Sequence, residues 1–344
     1  MQFIKPGISI NFIGKRKIAF VLSLSMILIS IGSLLVNRGP RYGIDFAGGT
    51  LVQVKFDASV PIDQIKSGLA TMELAASAVQ QFGQADDHEY LIRTDATNPA
   101  MEGLSEKIEK NLKEATNVAV EIRRVEMVGP QVGQDLREKA LFAMFYALLL
   151  ITVYISGRFE LKWAMSGIVA AAIMGSVYLL SLFHVSVPFL MLAALVVSLV
   201  IFWFFEFKYA MGAIVALIHD VTITVGMFSI FDKEFTLPIV AALLTIIGYS
   251  LNDTIIVFDR IRENLRKYHK EPLSTILNKS INETLSRTIL TSGTTMIVVV
   301  ALFILGGGII HDFSFALMIG VLVGTYSSIF VASPILLAWQ ARRK

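Results

Sequence analysis

Apolar residues run in long unbroken stretches along this chain, one before a polar-rich segment and several after it. Ile18 to Val36 follows Lys15, Arg16 and Lys17, and at about 1.5 Å per helical residue it nearly spans a ~30 Å hydrocarbon layer. No Ala-x-Ala type exit follows, so this run reads as an uncleaved anchor. Beyond Arg137 and Lys139, further apolar runs fall at 140–156, 164–183, 187–205, 210–230, 236–258, 288–305 and 313–338. With the anchor they predict an α-helical polytopic membrane protein of about eight transmembrane helices.

Between the first and second spans the pattern changes, and residues 38–130 carry short alternating and helical periods of soluble type. The spacing predicts a strand over Thr50–Phe56, a helix over Ile62–Met72, strands over Ser77–Phe82 and Glu89–Arg93, a helix over Met101–Glu114 and a strand over Val118–Val128. Pro61 and Asp63 mark the first helix start, and Ile65, Leu69 and Met72 give it an apolar stripe. The order βαββαβ predicts a small external ferredoxin-like α+β domain, against the alternative of six unrelated short elements.

Loop charge predicts the orientation. Lys15 to Lys17, Arg158, Lys162, Lys208, the segment from Arg260 to Arg287, and Arg342 to Lys344 all fall on one side, which the positive-inside rule makes the cytoplasm. Residues 1–17 and 339–344 are then cytoplasmic ends, 18–36 the first span, 38–130 a periplasmic domain and 140–338 the helix bundle. The expected location is a bacterial cell inner membrane. An internal echo interrupts the bundle, because Phe159 to Met165 (FELKWAM) is answered by Phe205 to Met211 (FEFKYAM). Either 159–207 is an extra helical hairpin with His184 and Pro188 at its outer turn, or two helix starts share an interfacial collar of aromatics and lysines by chance.

Composition supports the membrane reading and narrows the chemistry. A hydrophobic fraction of 55% with 17% charged residues over 344 residues is too apolar for a soluble chain, and a net charge of +3 without clustered basic residues argues against nucleic-acid partners. There is no cysteine, and no HExxH, GxxxxGK[ST] or GxSxG string. The expectation is a protein that is not an enzyme, with no bound nucleotide, cofactor or metal and no catalytic residue.

Polar residues inside apolar runs stand out, since a mid-membrane charge costs at least about 2.5–3.5 kcal/mol on insertion scales. Thr245, Tyr249, Asn252 and Asp253 recur at i, i+4, i+7 and i+8, which predicts one polar face able to line a wet crevice. A carboxylate there, poised between desolvation and a nearby cation, can take and release a proton; the bland reading is a helix-pairing Asp near a membrane boundary. The next span repeats the spacing with Arg287, Thr291, Thr294 and Thr295, which makes Arg287 the natural partner of Asp253 or, equally, a snorkelling anchor. His219 and Asp220 lie near the middle of their run. Adjacent residues point about 100° apart on a helix, so Asp220 reads as a relay or helix-pairing group and His219 as the maker of one structural hydrogen bond. His311 and Asp312 follow Gly306, Gly307 and Gly308 and read as a solvated outer turn, while Gly320 and Gly324 give a small-xxx-small packing stripe.

Four stretches together resemble a known family: GIDFAGGT from Gly43 to Thr50, VGPQVG from Val128 to Gly133, LTIIGYSLNDTIIVFDRIREN from Leu244 to Asn264, and ETLSRT from Glu283 to Thr288. They are similar to the SecD/SecF family of the resistance-nodulation-division superfamily. The resemblance implies a SecD-type partner, the SecYEG translocon and a translocating polypeptide, with Asp253 as the membrane carboxylate of proton passage and Arg287 as its positive neighbour. Gly48 and Gly49 would turn the backbone into the first external strand, with Asp45 capping that turn. The family pattern has six spans, so 159–207 is a departure. The function implied is a proton-motive-force-dependent accessory subunit of Sec protein export that pulls or retains polypeptide. The alternatives are a stand-alone proton-coupled exporter of lipids or small molecules, and a translocon scaffold whose polar membrane residues only join helices.

Overall fold

The computed structural model describes residues 9–70, 77–82, 85–94, 104–160, 163–181 and 187–341. A 3-10 turn (Ile13–Lys15) leads into α1 (Arg16–Val36), whose Phe20, Leu28 and Leu35 are exposed, as suits a helix solvated by hydrocarbon.

The polar-rich segment folds as a short helix α2 (Ile44–Ala47), β1 (Gly49–Phe56), α3 (Ile62–Ala70), β2 (Ala78–Phe82), β3 (Glu89–Thr94), α4 (Leu104–Thr116) and β4 (Val120–Val128). The sheet order is β2-β3-β1-β4 with every pairing antiparallel, which is the predicted ferredoxin-like arrangement. The predicted extensions to Met72 and from Met101 lie outside the described residues. Alternation in β1 turns Val52, Val54 and Phe56 inward, where they meet Ile65 and Leu69 of α3 and Ile108 and Leu112 of α4. Each such side chain contributes about 1.5–3 kcal/mol by leaving water.

The bundle comprises α5 (Pro130–Glu160), α6 (Trp163–Ser181), α7 (Val187–Phe204), α8 (Lys208–Ile230), α9 (Leu237–Lys267), α10 (Leu273–Leu305) and α11 (Gly308–Ser327). A π-helical turn at Ser328–Ala332 then leads into α12 (Ser333–Ala341). Among the described residues six helices are long and apolar enough to cross a membrane: α1, α5, α8, α9, α10 and the α11–α12 rod. The two shorter apolar helices, α6 and α7, stand at the predicted hairpin. Lys162, His184 and Arg342 to Lys344 lie outside the described residues, and Pro188 falls in the first turn of α7.

The segment from Arg260 to Arg287, expected as a charged loop, is instead two helical extensions joined by a short turn. Asn264 donates to Ser280 at 3.0 Å and to Glu283 at 2.6 Å, and Arg260 pairs with Glu283 at 2.6 Å, so the charges hold α9 and α10 together beyond their apolar parts. The stripe at Gly320 and Gly324 lets α11 lie close on α9, since a Cβ built on Gly320 would run into Ile246 and one on Gly324 would come within 2.9 Å of Ser250.

The echoed collars meet in space. The Tyr209 amide donates to Glu160 Oε1 at 3.0 Å, and the Phe159 and Tyr209 rings stack at 5.2 Å against Phe258. The end of α5 therefore abuts the start of α8, and α6–α7 leaves and returns at one place.

Candidate functional site

Asp253 is 1% exposed, within a helix that is otherwise largely apolar at that level. Its hydrogen-bond partner is Ser292 of α10, with 3.3 Å from Oγ to Oδ2, and Oδ1 has none among the described residues. Ser292 Oγ also lies 2.6 Å from Thr325 Oγ1 on α11, and Thr325 donates its own proton to the Val321 carbonyl at 2.7 Å. A hydroxyl carries one proton. If Ser292 gives that proton to Thr325, contact with Asp253 needs a proton on the carboxyl; if Ser292 turns to Asp253, Thr325 must turn from the Val321 carbonyl to donate to Ser292, and the carboxylate is served ionised. The trio of Asp253, Ser292 and Thr325 thus has two consistent proton arrangements. The hydroxyls of Tyr249 and Thr288 are also buried without a partner among the described residues.

Ser292, not Arg287, is the residue that touches Asp253: no ion pair within 4.0 Å joins the two charges among the described residues, although Arg287 stands near enough to act on the carboxylate through space. The reason is helical phase: five residues separate Arg287 from Ser292, about 500° of rotation, so the two point about 140° apart. Ser292 and Thr288 are buried, and Arg287 and Thr294 face outward. Thr291 and Thr295 are half-buried, and Thr294 donates back to the Leu290 carbonyl at 2.9 Å. The predicted stripe on α9 splits in the same way. Thr245 and Asn252 are exposed beside Ala241 and Gly248, Tyr249 is half-buried, and Asp253 lies inside. The exposed polar positions Thr245 and Asn252 on α9 and Arg287 and Thr294 on α10 are poorly matched to hydrocarbon.

His219 and Asp220 do meet, contrary to the expectation from backbone phase. His219 Nδ1 lies 2.9 Å from Asp220 Oδ1, because side chains of this length lean across the 100° between them. Asp220 Oδ2 accepts from Ser250 at 2.5 Å and from Ser327 at 2.8 Å, so one carboxyl joins α8, α9 and α11. His219 makes two hydrogen bonds rather than one, since Nε2 reaches Ser23 Oγ of α1 at 3.1 Å. Ser23 Oγ is also 3.1 Å from the Tyr326 hydroxyl, which donates to the Ala19 carbonyl at 2.7 Å. Every member of this chain except Tyr326 is fully buried.

His311 and Asp312 sit near the start of α11, within the helix rather than in a loop. Lys233 lies 2.5 Å from Asp312 Oδ1, and His311 stacks on Phe303 with ring centroids 4.2 Å apart. Gly48 and Gly49 have φ of 78° and 118°, a region that favours glycine, and a Cβ on Gly48 would stand 2.8 Å from Pro130 Cα. Asp45 sends its carboxylate away from that turn, to the Leu237 amide at 2.8 Å. Sequence reasoning passed over Ser23, Ser250, Ser292, Thr325, Tyr326 and Ser327; the signal available was hydroxyls spaced three or four apart in apolar runs, as at Thr288 and Ser292.

These features define a multi-pass membrane protein with a ferredoxin-like domain after its first span and two buried carboxylates in its bundle. The chain belongs to the SecD/SecF family of protein export membrane proteins. The family description "Protein export membrane protein SecD/SecF, C-terminal" matches residues 107–194 and 173–342, and "SecD/SecF GG Motif" matches 33–60. Protein translocase subunit SecF of Magnetococcus marinus is 43% identical over 350 residues, covering 100% of this chain and 97% of the relative. That of Vibrio alginolyticus is 40% identical over 337 residues, covering 98% and 91%. A crystal structure of SecDF, a translocon-associated membrane protein from Thermus thermophilus, superposes with a TM-score of 0.72 at 29% identity over 99% of this chain. This chain spans 40% of that longer one. The two matched segments 107–194 and 173–342 overlap over residues 173–194.

Proposed function

We propose that this chain is a proton-motive-force-dependent accessory subunit of Sec protein export, working with a SecD-type partner at the SecYEG channel to pull or retain translocating polypeptide. The observation that carries the reading is Asp253, a buried membrane carboxylate with one oxygen unpaired among the described residues and a partner, Ser292, whose single proton can be placed in two ways. A proton moved inward releases about 2.3 kcal/mol per 100 mV, enough to bias a two-state arrangement more than tenfold. The exposed polar positions Asn252 and Arg287 support a second membrane subunit covering them, since a free-standing exporter would leave them against lipid. In this reading Arg287 acts across the subunit boundary, and Asp220 with His219 holds the helices around the site. The basic ends lie in the cytoplasm, the ferredoxin-like domain lies outside the inner membrane, and α6–α7 is an inserted hairpin.

The test is export of a reporter in cells lacking the endogenous homologue, with a matched SecD present and equal membrane abundance of each variant. The native chain is expected to restore export and Asp253→Asn to fail. Equal rescue by Asp253→Asn overturns the proton mechanism in favour of a scaffold.

A further inference from the structure

The helix that carries Asp253 is closed at its other end by a residue from the sheet domain. Thr236, the N-cap of α9, makes no side-chain cap, and Pro238 has no amide hydrogen to offer. The amides of Ile239 and Val240 turn back to the Thr236 carbonyl at 3.1 and 3.3 Å, which leaves the Leu237 amide to be satisfied. Asp45 satisfies it at 2.8 Å from 192 positions earlier, and its negative charge sits where the helix dipole is positive.

The segment around Asp45 is fixed on every side. Gly43 donates to the Phe235 carbonyl at 3.0 Å and Phe235 to the Arg41 carbonyl at 2.7 Å, a parallel bridge between Tyr42 and Phe235. Arg41 pairs with Asp232 at 2.7 Å, and Arg93 of β3 pairs with Glu234 at 3.2 Å on the same loop before α9. Phe46 is buried in the bundle core with Phe228, Phe235 and Phe315. On the far side α5 presses close, since a Cβ on Gly133 would stand 3.0 Å from the Gly48 amide nitrogen. From Gly49 the chain runs straight into β1, the strand that pairs with both β3 and β4.

We propose that residues 41–48 form a rigid strap that fastens the sheet domain to the N-terminus of α9, with Asp45 as its positioning residue. Displacement of α9 is thereby passed to β1. Leu237 lies 16 residues from Asp253, about 24 Å along the helix, so a shift at the carboxylate reaches the strap through one continuous rod. The inference deepens the proton-driven reading and rests on it for its purpose, though the fastening itself can be tested alone.

Amide hydrogen exchange of the full chain in membranes reads the fastening without reference to export. Asp45→Ala is expected to speed exchange about five- to tenfold over 237–240 and over 43–48 together, the usual effect of losing a cap. Asp45→Asn, which keeps an acceptor oxygen, is expected to restore most of the protection. Acceleration in only one segment, or in neither, overturns the proposal. The second arm uses the absence of cysteine in the chain. Gly43→Cys with Thr236→Cys can be cross-linked, because a Cβ on Gly43 lies 2.6 Å from Thr236 Cγ2. Cross-linked protein is expected to keep the same proton-dependent stimulation of export as reduced protein; loss on oxidation with recovery on reduction overturns a rigid strap. If the parent chain shows no proton-dependent stimulation at all, the functional reading fails, and the exchange arm still decides the fastening.

Discussion

At the scale of single residues, the buried polar groups divide into those that hold the bundle and those with a choice of proton. Asp220 joins three groups at once, so removing its side chain takes the carboxyl partner from Ser250, Ser327 and His219. Asp220→Ala is expected to lower stability by about 3–5 kcal/mol. Asp220→Asn keeps an acceptor for both serines and offers its NH2 to the other tautomer of His219, and is expected to cost well under half as much. Thermal unfolding of the detergent-solubilised chain measures both. The same assay separates Ser292 from Arg287: Ser292→Ala is expected to cost about 1–2 kcal/mol by leaving Asp253 without its hydrogen bond, and Arg287→Gln, at an exposed position, less than about 0.5 kcal/mol. The sequence made Asp253 visible because a carboxylate in an apolar run is costly. It pointed to Arg287 as partner because charge attracts notice, while the serine that does touch Asp253 looks like any small residue of a packed helix. Side-chain reach likewise undid the argument that His219 and Asp220 could not meet.

At the scale of elements, the sheet domain was legible to within two residues at each described end, since periods of 2 and 3.6 alternate between Thr50 and Val128. Helix ends at the basic face were not, because charge density resembles a loop until the tertiary partners of Asn264 and Arg260 are known. The collars at Phe159 and Phe205 were legible as an echo, and their contact in space gives it meaning. Deleting residues 159–204 joins Arg158 to Phe205 and puts Glu206 where Glu160 stands. The shortened chain is expected to insert and fold, with a thermal midpoint within a few degrees of the parent. Failure to accumulate in membranes contradicts the reading of α6–α7 as an insertion. The α9–α11 contact is less forgiving: Gly320→Leu drives a branched side chain into Ile246 and is expected to destabilise by at least about 1–3 kcal/mol in the same unfolding assay.

At the scale of the whole molecule, a rod with a buried carboxylate in the bundle ends under a domain clamped to it by Asp45, Arg41 and Arg93. The architecture makes a small internal shift visible outside, provided the strap does not slip. Orientation follows from charge placement and can be mapped with single introduced cysteines on the cysteine-free background. Accessibility of position 110 in α4 from the side opposite to position 266 in α9 is the expected pattern, and labelling of both from one side contradicts it.

In the proposed mechanism a proton at Asp253 powers the stimulation of export. The most direct test is reconstitution of the chain with a SecD partner and SecYEG in liposomes, imposing a proton gradient and following translocation of a reporter polypeptide. The gradient is expected to raise translocation by the native chain, and translocation by Asp253→Asn to stay at the rate seen without a gradient. Undiminished gradient-dependent stimulation in Asp253→Asn contradicts it.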